Sequence, residues 1–258
     1  MSQPDPTDPY SRLDYRRLIA WPARIEREWP LLEAVLEDAP SRRVLDLGCG
    51  TGEHARFLAE KGFEVLAIDR SAAMIEALRE VGIPAGLTCM HGDLTHLGEL
   101  LDDDFGAAIC LGNTLPHLLN ELQLGRMLDG LRRHLLPGGA FLLQLLNYRR
   151  IADQQVRHLP LNFRPDPDGD GELVFLRLME TRDDGMVRFC PTTLRYRGDR
   201  DPPVELLRSR NVLLKGWQPA EVDAALADAG FAQRDYFGGV DRQPFDPAAS
   251  HDLVAIAR

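Results

Sequence analysis

Three glycines at alternate positions, directly after a short apolar run, are the residues of this chain with the clearest chemical use. The run R-V-L-D-L over 43–47 leads into Gly48, Gly50 and Gly52, and apolar residues then recur at helical spacing. This pattern predicts a strand, a tight turn and a helix. Glycines let the turn backbone approach a ligand, and the free N–H groups of the helix start favour anionic or polar groups. We therefore expect a ligand at this turn.

The spacing of the glycines argues against a dinucleotide as the ligand. The dinucleotide fingerprint G-x-G-x-x-G places its third glycine at position 53, where this chain has Glu53. A carboxylate at that place would repel a pyrophosphate. An NAD-linked oxidoreductase is therefore the disfavoured interpretation.

Two aspartates follow the next strands and are candidate ligands of a nucleoside. Asp69 ends a predicted strand 21 residues beyond Gly48, close to the spacing at which a carboxylate meets ribose hydroxyls. It could instead cap the next helix, although Ser71 is available as a cap. Asp93, in the run H-G-D-L, could accept the exocyclic amine of an adenine, or could be an ordinary turn aspartate.

Polar residues also follow the fourth predicted strand, 107–111, which is fully apolar. Ligands in open α/β sheets lie at the carboxyl ends of strands near the topological switch point, so Asn113, Thr114 and His117 are placed to meet a substrate. His117 could accept a proton, because the ordinary histidine pKa of about 6.5 lies near neutral pH. A histidine in the first turn of a helix is also commonly a plain surface residue.

The order of elements predicts a doubly wound, mostly parallel α/β sheet of seven strands with an antiparallel β insertion. The helix 122–136 is expected to end at Pro137, and the insertion is expected to contain three strands, 173–180, 186–196 and 204–214. The insertion could roof the site or form a dimerisation arm. The division expected is an N-terminal helical lid over 1–40, broken near Pro22 or Pro30, a core over 41–150, the insertion over 151–216, and core-completing elements over 217–258.

Composition limits the partners and the location. The 258 residues carry a formal net charge of −10, which disfavours binding to phosphate backbones. The four cysteines are widely separated, and no His, Cys or acidic cluster has metal-ligand spacing, so neither disulfides nor a metal is expected. No apolar run approaches the ~18 residues of a membrane span, and residues 1–9 are expected to be disordered. We expect a cytoplasmic monomer or homodimer that binds no nucleic acid or membrane.

These features together resemble those of class I S-adenosylmethionine-dependent methyltransferases, whose signature is D-x-G-x-G-x-G. More narrowly, the chain resembles the glycine and sarcosine N-methyltransferase branch. The resemblance is carried by Arg24, the turn 46–52, Asp69, Asp93-Leu94, the run C-L-G-N-T-L-P-H-L over 110–118, and Asn147-Tyr148 before a β insertion.

The resemblance implies S-adenosylmethionine as cofactor and S-adenosylhomocysteine as product. It implies that Arg24 grips the methionine carboxylate, Asp69 holds the ribose, Asp93 recognises adenine and Asn113 contacts the acceptor. The cofactor-binding residues expected are Arg24, Asp46, Gly48, Cys49, Gly50, Gly52, Asp69, Arg70, Met74, Gly92, Asp93, Leu94, Leu111 and Gly112. The catalytic residues expected are Asn113, His117 and a tyrosine, Tyr15 or Tyr10, that faces the sulfonium.

One departure from the branch bears on the acceptor. The branch has an arginine just before the Asn-Tyr pair to bind the substrate carboxylate, and this chain has Leu146. Four residues could supply that charge or could form a solvated basic turn: Arg149, Arg150, Arg157 and His158. Glycine is therefore not the expected acceptor.

The expected function is transfer of a methyl group to a small molecule, at an amine nitrogen. The alternatives are a small-molecule O-methyltransferase and a non-catalytic protein that binds S-adenosylmethionine. A nucleic-acid methyltransferase is disfavoured by the acidic charge, and because Asn113 is not followed by the Pro-Pro-aromatic run of base methylators.

Overall fold

The glycine turn belongs to a seven-stranded sheet at the centre of the fold. The structure is a computed structural model that describes residues 15–258, without the side chain of Tyr15. The strands are β1 Arg43–Leu47, β2 Glu64–Asp69, β3 Leu87–His91, β4 Phe105–Cys110, β5 Leu135–Leu146, β11 Arg234–Phe237 and β12 Asp252–Ala257. Their order is β11-β12-β5-β4-β1-β2-β3, with β12 antiparallel to both of its neighbours. The predicted doubly wound, mostly parallel sheet is confirmed.

Helices cover both faces of this sheet. The strands are apolar on both sides, as β4 shows: Ala107 and Ile109 pack into one cluster, and Ala108 and Cys110 pack into the other. Such continuous burial is typical of a parallel sheet between two helical layers. The helices are α1 Tyr15–Leu18, α2 Trp21–Glu37, α3 Glu53–Glu60, α4 Ala72–Glu80, α5 Leu97–Leu100, α6 Glu121–Arg133, α7 Tyr148–Asp153 and α8 Pro219–Asp228.

The N-terminal segment forms two helices, as expected, and the break between them at 19–20 lies just before Pro22, which is in the first turn of α2. Pro30 lies inside α2 and does not break it. A first-turn proline costs nothing because its missing N–H has no helical partner there. The interior proline loses one hydrogen bond, but the turns after it bury Leu31 and Leu32 against the central sheet. The second half of α2 is thus packed on the core. Tyr10 and the segment 1–9 lie outside the described residues.

The insertion forms a second sheet of five strands rather than the expected three. These are β6 Asn162–Pro165, β7 Glu172–Thr181, β8 Met186–Tyr196, β9 Val204–Ser209 and β10 Val212–Lys215. The expected strand 204–214 is interrupted at 210–211, and its two parts pair with different stretches of β8. The expectation missed β6, because a four-residue strand that ends in proline gives almost no pattern of its own. The expectation of an antiparallel meander on the α/β core is otherwise met.

The boundary between α6 and β5 was also misplaced. The helix ends at Arg133, and Pro137-Gly138-Gly139 lies inside β5 instead of separating helix from strand. The register between β4 and β5 shifts at this point, from Phe105 opposite Leu135 to Ala107 opposite Ala140. A bulge therefore accommodates residues that normally end an element.

Three further observations concern the composition. All four cysteines are free, with Cys110 buried and the other three partly buried. Within residues 15–258, no group of three or more His, Cys, Asp or Glu side chains is arranged to hold a metal ion. The helices of this same range are all too short or too polar to cross a membrane.

A glycine pair allows a test of the packing at the turn. Gly52 has φ +81°, and a Cβ there would lie 2.1 Å from Cδ1 of the buried Leu78. Gly230 has φ +86°, and a Cβ there would meet nothing within 4 Å. Gly230→Ala should cost about 1–2 kcal/mol for its left-handed backbone. Gly52→Ala should cost about 1–3 kcal/mol more, because it also overpacks the core. Urea unfolding of both variants measures the difference, and equal losses would show that Leu78 moves aside freely.

Candidate active site

A cavity of about 800 Å³ lies at the carboxyl ends of β1, β2 and β4. Most of the residues expected to bind a cofactor line it together: Arg24, Asp46, Gly48, Cys49, Gly50, Asp69, Arg70, Met74, Asp93, Leu94, Leu111 and Gly112. Gly52 and Gly92 are not part of the lining, and a Cβ on either would collide with an apolar side chain, that of Leu78 or that of Leu100. Asn113, Thr114 and His117 share the cavity with the first group.

The glycine turn is tied to the end of β2. The N–H groups of Gly48 and Cys49 donate to the carbonyl of Ile68, at 2.8 and 3.1 Å. The N–H of Gly50 donates to Oδ2 of Asp69 at 2.8 Å. Gly50 has φ +56°, and a Cβ there would meet no atom within 4 Å, so its backbone borders open cavity space. The turn therefore has room for the close approach of a ligand that the glycine pattern predicts, and that approach stays a prediction.

Asp69 is held by backbone groups on both sides. Its Oδ1 accepts the N–H of Ser71 at 2.8 Å, in addition to the Gly50 contact on Oδ2. The cap of α4 is Ser71, whose hydroxyl accepts the N–H of Met74 at 3.3 Å. A carboxylate has about four lone-pair sites, so Asp69 retains capacity for hydroxyl donors. Contact of Asp69 with a ribose stays a prediction.

Asp46 is a carboxylate buried at the edge of the cavity. It is 3% exposed, and its Oδ2 has no hydrogen-bond partner among the described residues. Burial raises the pKa of Asp46 to about 6; the charge of His54 opposes this rise, and the charge of Asp69 adds to it. A buried carboxylate with one unsatisfied oxygen is suited to a cationic partner.

Arg24 is held by a buried acid that the sequence analysis did not identify. Its Nε donates to Oε1 of Glu28 at 2.8 Å, and Oε2 of Glu28 lies 2.6 Å from Nε2 of His54. Burial acts to raise the pKa of Glu28, but His54 and Arg24 outweigh it and hold that pKa below its ordinary value. The i, i+4 spacing of Arg24 and Glu28 was the available signal. The partnership with His54, 26 residues away, was not readable from spacing.

Asp93 lines the same cavity as Asp69 and Arg24. Its Oδ1 accepts the N–H and the hydroxyl of Thr95, at 2.9 and 2.8 Å, and so caps the short 3₁₀ helix Leu94–His96. Burial acts to raise the pKa of Asp93, but the two Thr95 hydrogen bonds bring it below its ordinary value. Asp93 is therefore a turn aspartate in this structure, and its contact with an adenine stays a prediction.

The side chain of Asn113 joins two strand ends. Its Oδ1 accepts the N–H of Leu146 at 3.0 Å, and its Nδ2 donates to the hydroxyl of Tyr148 at 2.9 Å. The residue has φ +69°, a conformation that asparagine tolerates better than most side chains. The side chain of Asn113 therefore fixes the end of β4 relative to the end of β5, on the side of the cavity where the acceptor is expected. Its direct contact with an acceptor stays a prediction.

His117 lies beside Asn113 with a strongly shifted pKa. Burial lowers the pKa of His117 to about 3, and the charge of Arg70 acts in the same direction. The expectation of an ordinary pKa near neutral is therefore wrong for this ring. A neutral imidazole remains a hydrogen-bond acceptor, but it is a weak base at neutral pH.

Side chains of the insertion roof the cavity. The lining residues that it contributes are Leu159, Asn162, Arg164, Phe175, Arg177, Phe189, Pro191 and Leu214. The four basic residues considered as carboxylate ligands are not among the residues that line the cavity. Arg149 pairs with Asp153, and Arg150 and Arg157 donate to the carbonyls of Ser250 and Met179. His158 lies in an exposed bridge to β7.

Comparisons with known proteins agree with this fold. Residues 44–139 match the family described as "Methyltransferase domain". The glycine/sarcosine N-methyltransferase of Halorhodospira halochloris is 34% identical over 138 residues, which are 53% of this chain and 52% of that protein. The cypemycin N-terminal methyltransferase of a Streptomyces species is 35% identical over 102 residues, covering 40% and 41% of the two chains. The chain thus spans about half the length of the curated relatives it matches.

A solved structure matches over most of its length. The CcbJ methyltransferase of Streptomyces caelestis superposes with a TM-score of 0.69 at 25% identity, covering 91% of this chain and 89% of that one. Together with the strand order and the glycine turn, these matches show that the chain has the fold of the class I S-adenosylmethionine-dependent methyltransferases, and that 44–139 is similar to a methyltransferase domain. The part matched by the family, 44–139, begins inside β1 and ends inside β5.

The cavity residues fit the cofactor of this class. Its amino-acid end carries one ammonium and one carboxylate, which match the unsatisfied oxygen of Asp46 and the guanidinium of Arg24. Gly112 leaves Arg24 room at the cavity wall, since a Cβ there would lie 3.4 Å from its Nη2. The side chain of Tyr15 is not described, so the expected tyrosine near the sulfonium stays a prediction.

Arg24→Lys should weaken S-adenosylmethionine binding by about tenfold, the size of one lost charge-assisted hydrogen bond. An arginine can hold Glu28 through Nε and still present two nitrogens to a carboxylate, whereas a lysine has one nitrogen. Calorimetry on both proteins measures the effect. Arg42→Lys, an exposed arginine that donates to the carbonyls of Lys61 and Gly62, is the matched control. Equal affinity in wild type and Arg24→Lys would place the carboxylate elsewhere.

The raised pKa of Asp46 predicts a pH dependence of cofactor binding. Below pH about 6 this carboxyl takes up a proton in the free protein and loses the charge that attracts an ammonium. Affinity for S-adenosylmethionine should therefore fall as pH drops from 7 to 5. Asp46→Asn should bind more weakly at pH 7, and its affinity should change less over this range. An identical pH slope in the two proteins would assign the titration to another group.

Proposed function

We propose that this protein transfers a methyl group from S-adenosylmethionine to an amine nitrogen of a small molecule. The observation that carries the proposal is the arrangement at the glycine turn, where Asp46, Asp69 and Arg24 line one cavity with Gly50. The sequence relatives support the amine, since their names specify glycine, sarcosine and a peptide N-terminus as acceptors.

In this proposal the core residues divide the cofactor among them. Arg24 binds the methionine carboxylate, Asp46 the methionine ammonium, Asp69 the ribose hydroxyls, and Asp93 the adenine amine. Glu28 and His54 position Arg24 from behind, because both oxygens of Glu28 are engaged by these two side chains. Among the remaining predicted cofactor residues, those that supply backbone and apolar surface to the cavity are Gly48, Gly50, Met74, Leu94 and Leu111.

The acceptor lies between Asn113, His117 and the roof. When bound, S-adenosylmethionine supplies a methyl group that is already activated on a sulfonium. The protein then has to orient a nucleophile and exclude water, and orientation alone can contribute about 7–11 kcal/mol. The apolar roof residues Phe189 and Leu214 exclude water, and the lid contributes Ile19, Ala20 and Trp21, from the junction of α1 and α2, to the cavity lining.

The state of His117 favours nitrogen over oxygen as the acceptor atom. An alcohol or phenol needs a base to become a good nucleophile, and an imidazole with a pKa lowered to about 3 is a poor base. A neutral amine already has a reactive lone pair and needs only a hydrogen-bond acceptor to orient its N–H. The neutral ring of His117 can accept a hydrogen bond from the amine, and so can backbone carbonyls on that side of the cavity.

Labelled S-adenosylmethionine and a panel of small amines, each matched with the corresponding alcohol, phenol or thiol, test the proposal. We expect label in the amines, with much less in their oxygen and sulfur counterparts. Asp69→Ala should lose both cofactor binding and transfer, which controls for a contaminating enzyme. Transfer to hydroxyl acceptors alone would indicate an O-methyltransferase. Cofactor binding with no transfer to any acceptor would indicate a non-catalytic binding protein.

A further inference from the structure

The inner face of the roof carries two arginines. In β6, Asn162 and Arg164 are partly buried and line the cavity, whereas Phe163 and Pro165 are exposed. Asn162 is opposite Phe175 of β7, and Arg177 follows two residues later on the same face of that strand. Arg164 is opposite Leu173, so Arg177 lies four residues further along β7, and both arginines line the same cavity from the inner face of the roof.

Arg177 is held in a fixed position at this face. Its Nη2 donates to the carbonyl of Pro160 at 2.7 Å and to Oδ1 of Asn162 at 3.3 Å. Its guanidinium lies 5.4 Å from the ring centroid of Phe175. A guanidinium that is pre-oriented in this way binds planar anions with little further loss of side-chain freedom.

Arg164 lines the same cavity without a counter-charge. Its Nη1 donates to the carbonyl of Phe163 at 2.6 Å, and its buried Nε has no hydrogen-bond partner in the described chain. No carboxylate of residues 15–258 forms an ion pair with Arg164, although Arg188 and Arg195 of the same sheet pair with Glu180 and Asp166. The roof thus contains a guanidinium whose charge is not compensated by a carboxylate of the same sheet.

The charge of the roof lining is opposite to that of the whole protein. The roof lines the cavity with two arginines and no acidic residue, while the chain has a net charge of −10. A guanidinium remains charged at all relevant pH values. A partly buried cation is favourable only where an anion accompanies it, and a ligand can supply that anion.

We propose that Arg164 and Arg177 form a subsite for an anionic group, a carboxylate or a phosphate, on the amine that is methylated. This inference rests on the proposed function, since it assigns the same cavity to an acceptor. In the resembled branch an arginine occupies the position of Leu146. In this proposal, two arginines of the roof supply the positive charge that this position does not. The substrate class is therefore an amine that carries a second, negatively charged group.

Matched ligand pairs test the subsite by binding, without any need for turnover. The protein saturated with S-adenosylhomocysteine is titrated with glucosamine 6-phosphate and glucosamine, and with 5-aminopentanoate and pentylamine. In at least one pair, the member with the carboxylate or phosphate should bind about tenfold or more tightly than the member that lacks it, the gain expected from hydrogen bonds to charged groups. The two pairs separate a phosphate from a carboxylate preference.

Variants assign the preference to the two arginines. Arg164→Gln and Arg177→Gln should each reduce it, and the double variant should abolish it, with S-adenosylhomocysteine affinity and thermal unfolding unchanged in Arg164→Gln. Arg149→Gln, which removes an exposed arginine outside the cavity lining, is the control and should keep the preference. Equal binding of the members with and without the anionic group, a preference that survives in the double variant, or no binding of any probe that carries the anionic group would overturn the subsite.

Turnover separates this inference from the proposed function. If the anionic preference in binding depends on the arginines but no amine is methylated, the subsite stands and the proposed function fails. If amines without the anionic group are methylated as efficiently as their counterparts that carry it, by wild type and double variant alike, the proposed function stands and the subsite fails.

Discussion

The tie between the glycine turn and the end of β2 is the constraint on which the site depends. Gly48 and Cys49 donate to Ile68, and Gly50 donates to Asp69, so two parallel strands end with their acids directed into one cavity. Asp46 and Asp69 are thereby brought close enough for the charge of one to raise the pKa of the other. This placement is unfavourable in the absence of a ligand. It becomes favourable when an ammonium lies beside Asp46, so the free protein is expected to favour binding of a cation next to this carboxylate.

The complementary charge comes from a different part of the chain. Arg24 reaches the cavity because Leu31 and Leu32, two turns later in α2, are buried against the central sheet. The buried Glu28 lies between these parts of the helix and binds both Arg24 and His54. Removing one partner of such a buried group leaves a charge uncompensated, which typically costs about 3–5 kcal/mol. The network therefore couples the position of a binding residue to the packing of the helix.

Local patterns predicted the core well because its elements are defined by near neighbours in sequence. The helix Ala72–Glu80 and the strand Glu64–Asp69 have the periodicity of their class, and Ser71 has the chemistry of a cap. Features decided by distant partners were not predictable in the same way. The short strand β6 exists only because β7 pairs with it, and the pKa of His117 depends on burial created by the whole cavity. Asn113 was placed correctly, yet its bonds to Leu146 and Tyr148 depend on strand alignment.

The cofactor side of the cavity and its roof likewise differ in how much could be predicted from local sequence. The cofactor half is built mainly from strand ends inside the matched range 44–139, whereas the roof comes from β6–β10, which lie after it. Similarity to known methyltransferases in the matched range therefore informs the cofactor chemistry more than the choice of acceptor. In the roof, two of the residues that face the cavity are arginines, and the core position that carries a cation in the resembled branch is Leu146. An acceptor whose negative group is bound from above, with its nitrogen near Asn113, is consistent with both facts. The roof, on this view, determines which amine is methylated.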